Sequence, residues 1–338
     1  MYKIFAFYNP KGGVSKTTTT FNTGAFLSSN KNKKVLLVDL DPQSNLTELF
    51  FSSLSDEQTL PGTSIQDAMN PMFEGRASRI DATKIELAQH IYYSNMSLLR
   101  GDFSLIKAET YFGNAIIQAI TDNFREKNIY LSLFRLLSDL IKIHSFDHVL
   151  LDLRPSTGAI ARMSLLCCDA FIVPITLDRF CNQVVELLNV TITGWIEKHE
   201  QTMKTFEPYG LECFMGKPTF LGAVSQNFIT YADKKQRHYE IWEKNIENSI
   251  IESIIENPQI PKDDRIYSDG VYISTIKDFG PLGSVSQITG KAIFDLNRDD
   301  TTLISATGNL WSGAALASWK EQVGSYKAEI EKIAAVVL

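Results

Sequence analysis

The sequence predicts an α/β fold: a mostly parallel, twisted sheet with helices on both faces. Short β-rich apolar runs alternate with longer stretches of helical period, which is the pattern of βαβ units around a sheet buried on both sides. Several of those runs end in carboxylates or open into a glycine-rich segment, and charges at the carboxyl ends of parallel strands sit where open α/β sheets bind ligands. The composition agrees, since 44% hydrophobic and 21% charged residues over 338 positions describe a folded, water-soluble chain. A wholly disordered, collagen-like or coiled-coil protein is excluded.

Taken in order, strands are expected near 2–8, 34–40, 96–99, 147–153, 170–175, 219–225 and 271–275. Helical period covers 16–29, 44–51, 104–126, 130–144, 157–167, 180–199, 231–256 and 311–335. The helix at 231–256 is the longest, with Trp242, Ile246, Ile250 and Ile254 at i+4 spacing and Lys234, Lys235 and Arg237 at its start. One face of it packs and the other is charged. The last helix is also amphipathic, through Trp319, Val323, Tyr326, Ile330, Ile333 and Val337. No repeat, low-complexity tract or Pro/Gly/Ser-rich linker divides the chain, so residues 1–338 are expected to form one domain. Residues 52–95 and 257–310, rich in turn formers, are expected as irregular excursions from it.

Charge and cysteine usage narrow the class. With 33 Lys+Arg against 39 Asp+Glu the net charge is −6, so no whole-protein positive field draws the chain to DNA or acidic lipid, and any such binding needs a local patch. Four cysteines without a Cys-x-x-Cys pair argue against a disulfide scaffold and for a reducing, cytoplasmic setting. The start, from Met1 to Phe7, runs straight into a buried strand and leaves no room for a cleavable signal. The most apolar long stretch, Tyr130 to Phe146, is interrupted by Arg135, Asp139 and Lys142, so no membrane span is expected.

The most informative segment is Asn9-Pro10-Lys11-Gly12-Gly13-Val14-Ser15-Lys16-Thr17-Thr18, which follows a strand and opens a helix. That context suits a phosphate-binding loop, with backbone amides aimed at the anion and a helix N-terminus behind them. Lys16 would neutralise the β- and γ-phosphates and the Thr17 hydroxyl would bind Mg²⁺. The strict G-x-x-x-x-G-K-[ST] pattern fails, because Pro10 and Ser15 stand at its glycine positions. Alone, the segment is a moderate signal, and its bland reading is a tight strand-to-helix turn with solvated lysines. Two further segments decide between these readings. The strand from Lys34 ends in Asp39 and Asp41 at alternate positions, hence on one side of the strand. A second apolar strand, from Asp147, ends in Asp152 followed by Leu153-Arg154-Pro155-Ser156.

Together these motifs resemble those of the ParA/MinD superfamily of deviant Walker-A ATPases, closest to ParA partition proteins without an extra N-terminal DNA-binding domain. KGGVSKTT matches the family's KGGVGKTT, VDLDPQ its second motif, DLRPSTG its DxPPSxG, and FIVPITLD its hhhPxxxx strand. NMSLLRGD and FLGAVSQN are weaker echoes, and the likeness fades beyond about residue 230. The resemblance implies a three-layer P-loop NTPase fold and an ATPase that uses ATP and Mg²⁺. It implies that Lys11 reaches the ATP of a partner subunit in a nucleotide-sandwich homodimer, with residues 11–18 (Lys11, Gly12, Gly13, Val14, Ser15, Lys16, Thr17 and Thr18) around the phosphates. Asp41 would orient the attacking water, Thr17, Asp39 and Asp152 would hold the Mg²⁺ shell, and Gln226 or Asn227 would contact adenine.

Two departures matter. Ser15 replaces the family's glycine and would be strained if the backbone there is left-handed, and Arg154 replaces a proline. The implied function is plasmid or chromosome partition, by slow hydrolysis that a ParB-like or equivalent cargo-side activator stimulates, with association to nonspecific DNA and hence the nucleoid. Lys234, Lys235 and Arg237 are the candidate DNA contacts. The alternatives are an ATPase serving a secretion, envelope or defence assembly, and a MinD-like membrane switch. The polar face of the last helix mixes Lys320, Lys327 and Lys332 with Glu321, Glu329 and Glu331, which disfavours a membrane and favours packing on the protein body. Iron–sulfur relatives need a paired cysteine set; Cys167 and Cys168, adjacent on a predicted helix, instead read as small buried residues, so no cluster is expected.

Overall fold

The computed structural model describes residues 3–54, 59–228, 230–231, 234–235 and 237–338, with side chains outside 227–236. Its centre is an eight-stranded sheet of order β10-β7-β6-β1-β5-β2-β4-β3. The strands are β1 (Ile4–Phe7), β2 (Val35–Leu40), β3 (Ala88–Gln89), β4 (Met96–Leu99), β5 (His148–Leu153), β6 (Ala170–Thr176), β7 (Thr219–Phe228) and β10 (Tyr272–Lys277). Every pairing is parallel except that of the two-residue edge strand β3 with β4. A two-stranded hairpin, β8 (Thr230–Tyr231) with β9 (Lys234–Lys235), stands apart from it.

Alternation along the strands creates the layers. Ile4 and Ala6 face one core while Phe5 and Phe7 face the other; Leu36, Val38 and Leu40 oppose Val35 and Leu37 in the same way. The first core is covered by α3 (Ile65–Phe73), α4 (Ile106–Gln118), α5 (Phe124–His144), α6 (Ala159–Leu166), α7 (Arg179–Lys204) and α8 (Arg237–Ile250). The second is covered by α1 (Lys16–Asn30), α2 (Asn45–Phe51), α10 (Leu282–Thr289) and α11 (Gly313–Val337). A single turn, α9 (Arg265–Asp269), precedes β10. This is the three-layer α/β architecture expected from the sequence.

The element bounds expected for the strands hold to within three residues, but two helical expectations and the irregular excursion 52–95 need correction. The stretch 104–126 is not one helix: α4 stops at Gln118, and α5 restarts at Phe124 because the Asn123 side chain caps it by accepting from the Glu126 amide. The expected helix 231–256 begins only at Arg237, after the hairpin, and its last turn, Ile251–Ile255, widens to π geometry. The excursion 52–95 contains α3, which tolerates Pro71 beyond its first turn, together with the edge strand.

At the chain's end α11 lies across α1 and β10, burying Trp319, Tyr326, Ile330, Ile333 and Val337 against the second core. Glu329, on the same helix, accepts from the Ser274 hydroxyl and the Thr275 amide of β10. Its apolar face is therefore occupied by the protein. Ile330→Ala should lower stability by about 2–5 kcal/mol, read by chemical denaturation; a loss below about 0.5 kcal/mol, the range of surface substitutions, would contradict the docking of α11.

Candidate functional site

The phosphate loop, residues 9–15, is built between two anchors at the carboxyl edge of the sheet. Tyr8, fully buried, donates its hydroxyl to the Ser156 carbonyl at 3.0 Å. Asn9, also fully buried, donates Nδ2 to the Pro174 carbonyl at 2.8 Å and accepts the Lys11 amide on Oδ1 at 2.8 Å. The loop is thus tied to the segment following β5 and to β6 itself, the strands flanking β1. Gly13 (φ 71°) and Ser15 (φ 56°) both adopt the left-handed region. For Ser15 this costs on the order of 1 kcal/mol, so the strain anticipated for it is present. A helix leaves its first amides without intrahelical acceptors and with the positive end of its dipole, so α1 presents an anion-binding end to the loop.

Lys16 curls back into that loop. Its ammonium donates to the carbonyls of Asn9 at 2.9 Å and Lys11 at 2.8 Å and is nearly fully buried. Desolvation lowers its pKa to about 8 against the attraction of Asp152 and Asp41. The ammonium is still mostly charged at neutral pH, and an anion brought to the loop would favour that form further. The loop carbonyls hold the ammonium in position without neutralising it.

Two carboxylates complete the floor. Asp39 of β2 and Asp152 of β5 are direct register partners on neighbouring strands. Asp39 is saturated: Oδ2 accepts the Thr47 amide at 2.9 Å and hydroxyl at 2.7 Å, and Oδ1 accepts the Asp41 amide at 3.2 Å. The approach is so close that a Cβ on Gly101 would come within 2.8 Å of Asp39 Cγ. Asp152 differs. Its Oδ2 accepts the Thr17 hydroxyl at 2.7 Å, while Oδ1 is buried with no hydrogen-bond partner among the described residues. Burial raises both carboxyls well above their ordinary range, and for Asp152 the neighbouring Asp39 adds to it. An orphaned carboxylate oxygen beside a threonine hydroxyl is a hard-oxygen donor set, and these residues fit Mg²⁺. Asp41 is nearly buried, accepts the Gln43 amide on Oδ1 at 3.0 Å and lies within Coulomb range of Lys16.

Comparison with known proteins gives the family. A family model described as an AAA domain matches residues 2–205, more than half of the chain. The chain belongs to the ParA/MinD-type ATPases of this family. An uncharacterized protein of Mycobacterium tuberculosis is 32% identical over 191 residues, covering 56% of this chain and 52% of the relative. The sporulation initiation inhibitor protein Soj of Bacillus subtilis is 28% identical over 202 residues, 60% of this chain and 69% of Soj. The chain spans about half the length of the mycobacterial relative. The ATP complex of a Cyanothece McdA variant shares the fold at a TM-score of 0.56 and 16% identity, over 98% of this chain and 96% of that one.

For this ParA/MinD-type ATPase the structure gathers Lys16, Thr17, Asp39, Asp41 and Asp152 at one edge, with Val14 buried under the loop and Gly12 beside Pro155. Thr17 and Thr18 open onto a cleft of about 440 Å³ shared with Asn45, Glu48, Leu49, Ser52 and Gln287. Lys11 sits on the other side of the loop, donating to Asp178 Oδ2 at 2.6 Å and Thr176 Oγ1 at 2.8 Å. Gln226 turns inward, donating Nε2 to the Thr19 hydroxyl at 2.8 Å from a buried position. The side chains of Asn227, Lys234 and Lys235 lie outside the described residues. Arg237 is exposed at the start of α8, with Glu240 in the same turn. Cys167 and Cys168 are buried at the end of α6. Sequence reasoning missed Tyr8, Asn9, Thr47 and Asp178. Asn9 begins the motif itself and Asp178 closes the FIVPITLD motif, so both were in view, but nothing local reveals their partners.

Asp152 also carries a testable stability cost. Its folded-state pKa lies above the ~3.9 of an unfolded aspartate, so the folded chain binds the extra proton and loses stability as pH rises from about 4 towards that raised value. Asp152→Asn cannot ionise. In chelator and without nucleotide it should melt a few degrees above the parent at pH 7–8, the two converging near pH 4; melting curves that coincide at every pH would refute the buried charge.

Proposed function

We propose that the chain is an ATP- and Mg²⁺-dependent switch ATPase that closes as a nucleotide-sandwich homodimer and positions cargo. The observation that carries this reading is the meeting of the anion-binding end of α1, the buried Lys16 and the orphaned Asp152 oxygen beside Thr17 at one sheet edge. Mg²⁺, when bound, supplies charge neutralisation at the β- and γ-phosphates. Lys16 would bind those phosphates, Thr17 and Asp152 would hold the metal shell with Asp39 behind them, and Asp41 would orient water for in-line attack. Lys11, on the loop's opposite flank, would serve the partner subunit's nucleotide. Beside it an apolar groove of about 410 Å³, lined by Pro10, Phe180, Val184 and Leu187, is the surface this reading sets against the second copy.

Plasmid or chromosome partition is the role that relatives such as the chromosome-partitioning ATPase Soj of Treponema pallidum and the chromosome partitioning protein ParA of Caulobacter vibrioides support. In this reading hydrolysis is slow until a cargo-side activator engages the dimer, and nonspecific DNA is the track. DNA contact has to be local. α8 carries Glu240, Glu243 and Glu247 beside Arg237 and Lys244, so the candidate phosphate contacts are confined to the basic start of that segment in sequence, Lys234, Lys235 and Arg237. The membrane alternative is disfavoured by the docking of α11, and among the described residues no helix is long and apolar enough to cross a membrane.

Lys16→Ala should weaken ATP binding by about 100-fold or more, measured by calorimetry. Asp41→Ala should bind ATP and accumulate as a dimer without turnover; normal hydrolysis by this variant would sink its assigned role. With ATP, the Asp41→Ala dimer should bind DNA of arbitrary sequence in a steeply salt-dependent way, and the ADP form should not. Salt-independent or nucleotide-independent binding would move the function to a protein assembly instead.

A further inference from the structure

Asp178 lies two residues beyond the end of β6, at the N-cap of α7. Its carboxylate caps α7, accepting the Cys181 amide on Oδ1 at 3.0 Å. The other oxygen accepts both the Lys11 ammonium and the Thr176 hydroxyl, each at 2.6 Å. Lys11 also donates to Thr176 Oγ1 at 2.8 Å, with Cys181 Sγ 3.6 Å away. Burial alone would raise the Asp178 carboxyl, but the bonds from Lys11, Thr176 and the Cys181 amide prevail and hold it below its ordinary value. The Lys11 backbone is pinned to the same place, because the Asn9 side chain that accepts its amide is itself bonded to Pro174. Lys11 is therefore clasped, backbone and side chain, to the end of β6 in its own subunit.

An ammonium neutralised this closely by one anion cannot serve a second elsewhere. We propose that Asp178, seconded by Thr176, is a positioning residue that holds Lys11 in cis, so that two chains close over nucleotide only by exchanging this carboxylate for phosphate. The proposal rests on the sandwich-dimer reading above. It assigns the carboxyl end of β6 the task of setting how much ATP is needed for closure. Lys11 is about one quarter exposed and Asp178 somewhat over one third, so the pair is partly solvated and the exchange is feasible. Among the described residues, Lys11 is held by a carboxylate and Lys16 by two carbonyls.

Asp178→Asn tests this, since asparagine keeps the helix cap and the shape while removing the charge. In the Asp41→Ala background, the ATP concentration giving half-maximal dimer in sedimentation should fall about two- to fivefold with Asp178→Asn. The same change made on Lys11→Ala should leave nucleotide affinity unmoved, which a general disturbance of the site would not. An unchanged or higher threshold in a chain that does dimerise overturns the proposal while the sandwich reading stands. If the chain stays monomeric at saturating ATP, the sandwich reading fails instead, and the clasp is judged by amine labelling of Lys11 without nucleotide. Faster labelling in Asp178→Asn then supports the clasp, and equal labelling overturns it.

Discussion

Two carboxylates buried side by side govern the site. Parallel pairing of β2 with β5 sets Asp39 directly opposite Asp152, each flanked along its strand by fully buried leucines or valine. Like charges in such a dry setting repel strongly and resist ionisation. The fold relieves one and not the other. Asp39 receives three hydrogen bonds, two of them from Thr47, and so turns the start of α2 into part of its own solvation. Asp152 receives only the Thr17 hydroxyl among the described residues and keeps an oxygen with no donor. The asymmetry leaves one defined place for a cation, next to the first turn of α1.

Sheet order then explains the rest of the loop. β1 lies between β5 and β6, so the segment leaving it must run between Asp152 on one side and the Pro174–Asp178 stretch on the other. Tyr8 and Asn9 fasten it to each side through fully buried side chains, and at its far end Ser15 adopts a left-handed conformation that the residue itself disfavours. Strain of this kind persists where the surrounding structure over-determines it. Glu109 of α4 extends the same logic, accepting the Ala159 and Ile160 amides at the start of α6, just beyond the Asp152 strand.

The parallel strands were legible because each is an apolar run of the right length, and the phosphate loop because its residues are contiguous. What escaped the sequence is what depends on a partner. The two-residue β3 has no pattern of its own and exists only against β4. The break between α4 and α5 hinges on the single side chain of Asn123, while helical period continues on both sides of it. Gln226 shares the parity of Val224, which faces the α1 side of the sheet, so its inward bond to Thr19 follows from alternation once the strand's register is known. Lys11 is the clearest case. Its motif marks it as chemically engaged, yet the identity of its partner here is set by tertiary structure, 167 residues along the chain.

The two loop lysines show how one short segment can separate binding from closure. Lys16 is held by two neutral carbonyls, which orient its ammonium, while Asp152 and Asp41 attract it across a desolvated loop. A phosphate arriving there meets a cation that, among the described residues, has no bonded anion to displace. Lys11 is already matched to a carboxylate, so engaging phosphate exchanges one anion for another and gains only the difference between them. The net charge of −6 adds a mutual repulsion between two copies that salt would weaken. Nucleotide should accordingly seat on single chains first. In the proposed sandwich dimer, association would follow only where phosphate attracts Lys11 more strongly than Asp178 does.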